Sequence, residues 1–213
     1  MTVPAYLPYY VIVGSAGIIA AIVLGLRAGL ADWPARERIP VVRTAAFLLI
    51  GWFAAAVALA WLGIYRGAAD RVPTIQFGIL VPILIGAWMI WRSPIVARVI
   101  DAVPQQSLVG VQLYRALGAV FLVLYASDKL PGLFAWPAGL GDVLVGISAP
   151  AIAAAYARNP ETGAVWTWNV LGIADLVVAV ATGFITSPSP VQLFALDAPN
   201  DRSEMQKSRS SKI

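Results

Sequence analysis

Leu130–Pro150 reads LPGLFAWPAGLGDVLVGISAP. The stretch is apolar, rich in Gly and Pro, and carries one carboxylate, Asp142, just inside the hydrophobic run. A charge at such a position costs a few kcal/mol unless it is paired, hydrated or used. The rest of the chain reads as a small integral membrane protein built to hold this stretch.

The composition agrees. Of 213 residues, 60% are hydrophobic and 12% are charged, where soluble domains carry about 25% charged residues. There are no Cys and no His. That excludes disulfide frameworks, zinc fingers, His-ligated haem, Ser–His triads and Cys–His dyads. The net charge of +4 does not argue for nucleic acid, because most Arg residues sit singly between apolar runs. That is the distribution of positive-inside signals.

Outward from the central stretch, six apolar runs are long enough to span a bilayer, which takes about 20 residues. They cover 6–26, 44–65, 74–91, 108–127, 135–157 and 164–186. The fold class expected is all-α: an integral membrane bundle of about six transmembrane helices over 1–186, followed by a polar, disordered tail over 187–213. VQLFAL in the tail is apolar enough to rest on a membrane surface. The first run follows an N-terminus with no basic residues, so it reads as an uncleaved transmembrane helix rather than a secretory signal. Its Gly17, Ala21 and Gly25 recur every four residues and form a small-residue stripe for helix contacts, within the chain or in a homo- or hetero-oligomer.

The loop 27–43 is the most basic, with Arg27, Arg36, Arg38 and Arg43 against Asp32 and Glu37. Residues 93–106 alternate apolar and charged positions, as a plain loop or as an amphipathic segment at the interface. Loops 1–2, 3–4 and 5–6 hold about seven Lys and Arg, against about four on the other side with the distal tail discounted. That bias implies that both termini are non-cytoplasmic, and the membrane expected is a bacterial-type inner membrane. The two three-helix halves show no convincing internal repeat.

The candidate site lies in the C-terminal half. Gln112, Arg115, Asp142 and Asp175 all fall inside apolar runs, with Asn169 near the start of the last one. Gln112 and Arg115 are three apart and share a face. Arg115 and Asp175 start from the same surface, so an Arg115–Asp175 pair is expected, steadied by Gln112 or Asn169. Such a pair reads as a structural lock on helix register, as a site for a small anion at Arg115, or as a proton relay through Asp175. Asp142 starts from the opposite surface. After Pro137, Gly139 and Gly141 it reads as the N-terminal turn of a helix, near Lys129.

A second reading of Asp142 rests on resemblance. Gly139-Leu140-Gly141-Asp142 resembles the Gly-x-Gly-Asp motif of intramembrane aspartyl proteases, the presenilin, signal-peptide-peptidase and prepilin-peptidase group. The resemblance implies Asp142 as one catalytic aspartate and Asp175 or Asp128 as the other, sharing a proton to act on water. It covers four residues. Tyr125 and Asp128 are not the adjacent Tyr-Asp pair of presenilin-like members. The Pro-Ala-Leu motif is absent, with Phe194-Ala195-Leu196 a partial echo. A broader pattern runs from Gln112-x-x-Arg115 to Leu130-Pro131-x-x-Phe134-Ala135-x-Pro137-Ala138-Gly139-x-Gly141-Asp142. It resembles uncharacterised multi-pass inner-membrane proteins of bacteria and implies no activity.

Three functions follow. In a transporter- or channel-like protein for a small solute or ion, 130–150 is a broken or re-entrant element. Its cavity is lined by Gln112, Arg115, Asp142, Asp175 and Asn169. An accessory subunit would use the small-residue stripe. A protease would use the aspartates, and only that reading makes the chain an enzyme. The partner common to all three is the lipid bilayer, and no cofactor, metal or nucleic acid is implied.

Overall fold

The structure is a computed structural model and describes residues 4–65, 74–160, 163–187 and 193. Among these residues the regular structure is all helical: α1 (Leu7–Gly29), α2 (Ala35–Trp61), α3 (Ile75–Arg92), α4 (Pro94–Ala102), α5 (Gln105–Gly110), α6 (Ala119–Ala126), α7 (Gly132–Arg158) and α8 (Ala164–Thr186). A 3-10 segment, Val111–Gly118, joins α5 to α6, and the three run as one 22-residue span, Gln105–Ala126. Five helical stretches are long and apolar enough to cross a membrane, and a sixth is added if α3 and α4 count as one bent span. The turn 66–74 (but for Thr74) and the tail (but for Ser187 and Leu193) lie outside the described residues, VQLFAL included apart from Leu193.

Two of the helix starts that differ from expectation have clear local causes. α2 begins at Ala35 rather than 44, after an extended Pro34 (φ −54°, ψ 137°), with Glu37 in its first turn. An acid there complements the N-terminal dipole. Arg36, Arg38 and Arg43 therefore ride on the first turns of α2 instead of lying in a loop. α7 begins at Gly132 rather than 135. Pro131 is extended, and its carbonyl accepts from the amides of Phe134 (3.1 Å) and Ala135 (2.9 Å). Pro137 and Pro150 are accommodated inside α7, so the stretch read as broken or re-entrant is one continuous 27-residue helix.

α7 is the hub. It packs against α5, the 3-10 segment, α6 and α8. Its buried residues are Gly132, Ala135, Ala138, Gly139, Val145, Gly146 and Ala149. A helix whose buried face is this small lets neighbouring backbones approach closely, which is how helices gain packing contacts in lipid. At one end Val145 and Ala149 join Val109, Val165 and Trp168 in a packed cluster. α1 packs on α2 and reaches the 3-10 segment. The outer helices present broad apolar faces. Trp61 closing α2 and Trp91 closing α3 are exposed at their ends, where interfacial aromatic residues sit in membrane proteins.

α3 and α4 meet at 91°. Ser93 makes the corner: its backbone is extended, its Oγ accepts from the Val96 amide at 3.4 Å, and Pro94 opens the next helix. Of the two readings of 93–106, the structure realises the helical one. Arg98 of α4 reaches Glu37 of α2 at 3.2 Å and lies over the Trp33 ring at 4.6 Å.

Candidate functional site

Three charged side chains from three spans converge. Arg115 Nε donates to Asp142 Oδ1 at 2.8 Å, and Nη2 donates to Asp175 Oδ2 at 2.5 Å. Nη1 donates to the Gly172 carbonyl at 3.0 Å. Arg115 is the eleventh residue of the 22 in Gln105–Ala126, Asp142 the eleventh of the 27 in α7, and Asp175 the twelfth of the 23 in α8. All three are therefore near mid-span. Asp142 follows the start of α7 by ten residues, about 15 Å at roughly 1.5 Å per residue.

The expected Arg115–Asp175 pair is present. The reading of Asp142 as part of a helix N-terminus beside Lys129 is corrected. The earlier start of α7 carries Asp142 to the depth of Arg115, and the two pair. Gln112 and Asn169 do not steady the guanidinium, whose bonds go to the aspartates and Gly172. Asp128, the other candidate second aspartate, has a different task. Its φ of 57° makes it the left-handed residue that ends α6, while the Lys129 amide bonds back to the Leu124 carbonyl at 2.9 Å.

The 3-10 winding sets the approach. In a 3-10 helix side chains three apart eclipse, so Gln112, Arg115 and Gly118 stand in one row. An α-helix would carry Gly118 off that row. A Cβ built on Gly118 would overlap the Asp142 side chain, and one on Gly141 the Asp175 carboxylate. One on Gly146 would overlap the backbone of Ala116. The triad therefore closes only because glycines stand at the helix crossings. Sequence reading named the charged residues and Gly141, the latter only as part of a helix start or a protease-like motif, and missed Gly118 and Gly146. The signal was placement: Gly141 precedes Asp142, and Gly118 follows Arg115 by three.

A cleft of about 450 Å³ lies against the triad. Gln112, Arg115, Asp142 and Asn169 line it, whereas Asp175 does not. α1 supplies one wall through Tyr10, Val11, Ser15 and Ile18. The Tyr10 hydroxyl donates to the Leu117 carbonyl at 3.2 Å and ties α1 to the 3-10 segment. The Asp142 side chain is 23% exposed, against 11% for Arg115 and 14% for Asp175. It is the most exposed of the three charges and one of the two that line the cleft. No group of three or more His, Cys, Asp or Glu is placed to hold a metal among the described residues.

A family model described as a domain of unknown function, DUF8737, matches residues 72–198. The chain belongs to the DUF8737 family. No curated protein and no solved structure matches it. The DUF8737 region runs from the start of α3 past the end of α8 and contains the whole triad. Only the α1 wall of the cleft comes from outside it.

Proposed function

We propose that this membrane protein binds a small polar solute or ion in the cleft between α1, the 3-10 segment, α7 and α8, and acts as a transporter- or channel-like protein. The carrying observation is the cleft itself: a space of about 450 Å³ with a charged triad on its wall, near the middle of spanning helices. Intramembrane charges face water or one another and mark solute pathways. Here the triad does both, since it is internally paired and Asp142 remains partly exposed.

The chain would cross a bacterial-type inner membrane several times, with both termini non-cytoplasmic. Supporting that orientation, Arg27, Arg36, Arg38, Arg92 and Arg158 stand at one set of helix ends, and Arg98 lies in α4, which follows one of them. The Arg98–Glu37 pair also joins α4 to the first turn of α2 on that side.

Single cysteines test the reading cleanly, because the chain has none of its own. Ser15→Cys and Asn169→Cys line the cleft, whereas Val177→Cys is 61% exposed on α8 and faces lipid in this reading. In membrane vesicles a charged, impermeant thiol reagent should modify the first two and spare the third. Equal protection of all three would remove the solute pathway.

A second reading, an accessory subunit, is favoured by one observation. Among the described residues a Cβ built on Gly17 or Gly25 meets nothing within 4 Å, so none of them uses this part of the α1 stripe. Loss of crosslinked oligomer in Gly17→Leu/Gly25→Leu would support it. The aspartyl-protease reading is weakened by Arg115. A guanidinium bonds both aspartates, whereas that chemistry needs the two carboxyl groups to share a proton with each other.

A further inference from the structure

The triad is incomplete in charge. One guanidinium faces two carboxylates, so the ionised group carries one net negative charge near mid-span. Uncompensated charge is costly in a low-dielectric interior. One further positive charge would balance it, and the geometry says where. Asp175 does not line the cleft, and its Oδ2 is taken by Arg115. Asp142 does line the cleft. Its Oδ1 is taken by Arg115, and its Oδ2 lies beside Gly118, another residue of the wall.

The wall also restricts the kind of cation. Hard metal ions need about six oxygen ligands, and no such carboxylate set exists among the described residues. The wall carries four aromatic side chains instead: Tyr10, Tyr114, Phe121 and Trp168. Two of them have their polar tips committed elsewhere. The Tyr10 hydroxyl donates to Leu117, and Trp168 Nε1 donates to Ser148 Oγ at 2.8 Å. What they offer the cleft is ring, and ring faces attract cations with apolar substituents.

Resting on the solute-binding reading above, we propose that the cleft takes a small organic ammonium ion, its charge against Asp142 and its substituents among the aromatic rings. A bare proton on Asp142 is the competitor. It would balance the charge equally, in a setting that also contains Arg115, Asp175 and the phenols of Tyr10 and Tyr114.

The test is calorimetric titration of the full-length protein in nanodiscs with tetramethylammonium chloride. Parallel titrations use tert-butanol, its uncharged counterpart, and sodium methanesulfonate. The expected result is saturable binding of tetramethylammonium alone, weakened at least tenfold by Asp142→Asn and retained in Asp142→Glu. Should Asp142→Asn fail to fold, Gln112→Lys serves. It adds a positive charge one 3-10 turn from Arg115 without touching the triad's bonds, and should weaken binding to the same degree. Binding that survives both Asp142→Asn and Gln112→Lys overturns the proposal, as does equal binding of tert-butanol or methanesulfonate. Absence of tetramethylammonium binding overturns it too. If the cleft cysteines still label, the solute pathway stands and only the cationic ligand is lost; if they are also protected, both readings fall.

Discussion

At the residue scale, Arg115 is the side chain on which the interior depends. It answers two carboxylates that two other spans bring to its own depth. Removing one partner of a buried pair costs about 3–5 kcal/mol, because the remaining charge is left unpaired. Arg115→Met leaves two carboxylates and should lower thermal stability in detergent by at least that order. Asp175→Asn should cost less, since Arg115 keeps Asp142. Replacing all three together as Arg115→Met/Asp142→Asn/Asp175→Asn should recover much of the Arg115→Met loss. Buried charges removed as a group take their desolvation cost with them. A triple variant no more stable than Arg115→Met would show that the triad is not a closed electrostatic unit. The Arg115–Asp175 pair was legible in the sequence, because both residues could be counted inward from the same surface. The place of Asp142 was not. It depended on whether α7 begins at Gly132 or three residues later, and Pro131 decides that through backbone geometry rather than hydropathy.

At the element scale, α7 and the 3-10 segment form a crossing tight enough that one methyl group matters. Gly146 meets the Ala116 backbone, and backbone cannot rotate aside as a flexible side chain does. Gly146→Leu should therefore separate the two helices, cost about 1–3 kcal/mol as an overpacked site does, and weaken the Arg115–Asp142 bond. Gly17→Leu, whose Cβ meets nothing within 4 Å among the described residues, is the matched control and should leave the monomer's melting temperature in detergent unchanged. Equal losses in the two variants would mean that the cost is one of helix composition, not of this crossing. The 3-10 stretch was invisible beforehand. Gln112 and Arg115 share a face in either helix type, so their spacing does not distinguish 3.0 from 3.6 residues per turn. Only the joining of Gly118 to that row reveals the tighter winding. At eight residues the segment exceeds the usual three or four. Its side-chain bonds from Arg115 and to Leu117 hold it against α1, α7 and α8.

At the scale of the whole molecule, apolar runs of sufficient length announced the all-helical architecture, and bilayer thickness explains why that signal is strong. What hydropathy could not supply is which connections meet. The structure brings α4 to the α1–α2 connection: Arg98 spans Glu37 and Trp33, and Gly29 lies against Val103. The Arg98–Glu37 pair is exposed, and such pairs couple by about 0.2–1 kcal/mol. The contact therefore reports geometry more than it contributes stability. That geometry makes a topological prediction. If Gln105–Ala126 is one span, Asp32 and Asp101 share a membrane face, and Lys129, beyond the far end of that span, occupies the other. Single cysteines at Asp32 and Asp101 should react with an impermeant thiol reagent from the same side of sealed vesicles. A cysteine at Lys129 should react only from the opposite side, or after permeabilisation. Labelling of all three from one side would make Gln105–Ala126 a re-entrant excursion rather than a span. The triad would then sit at the floor of a vestibule open to a single face.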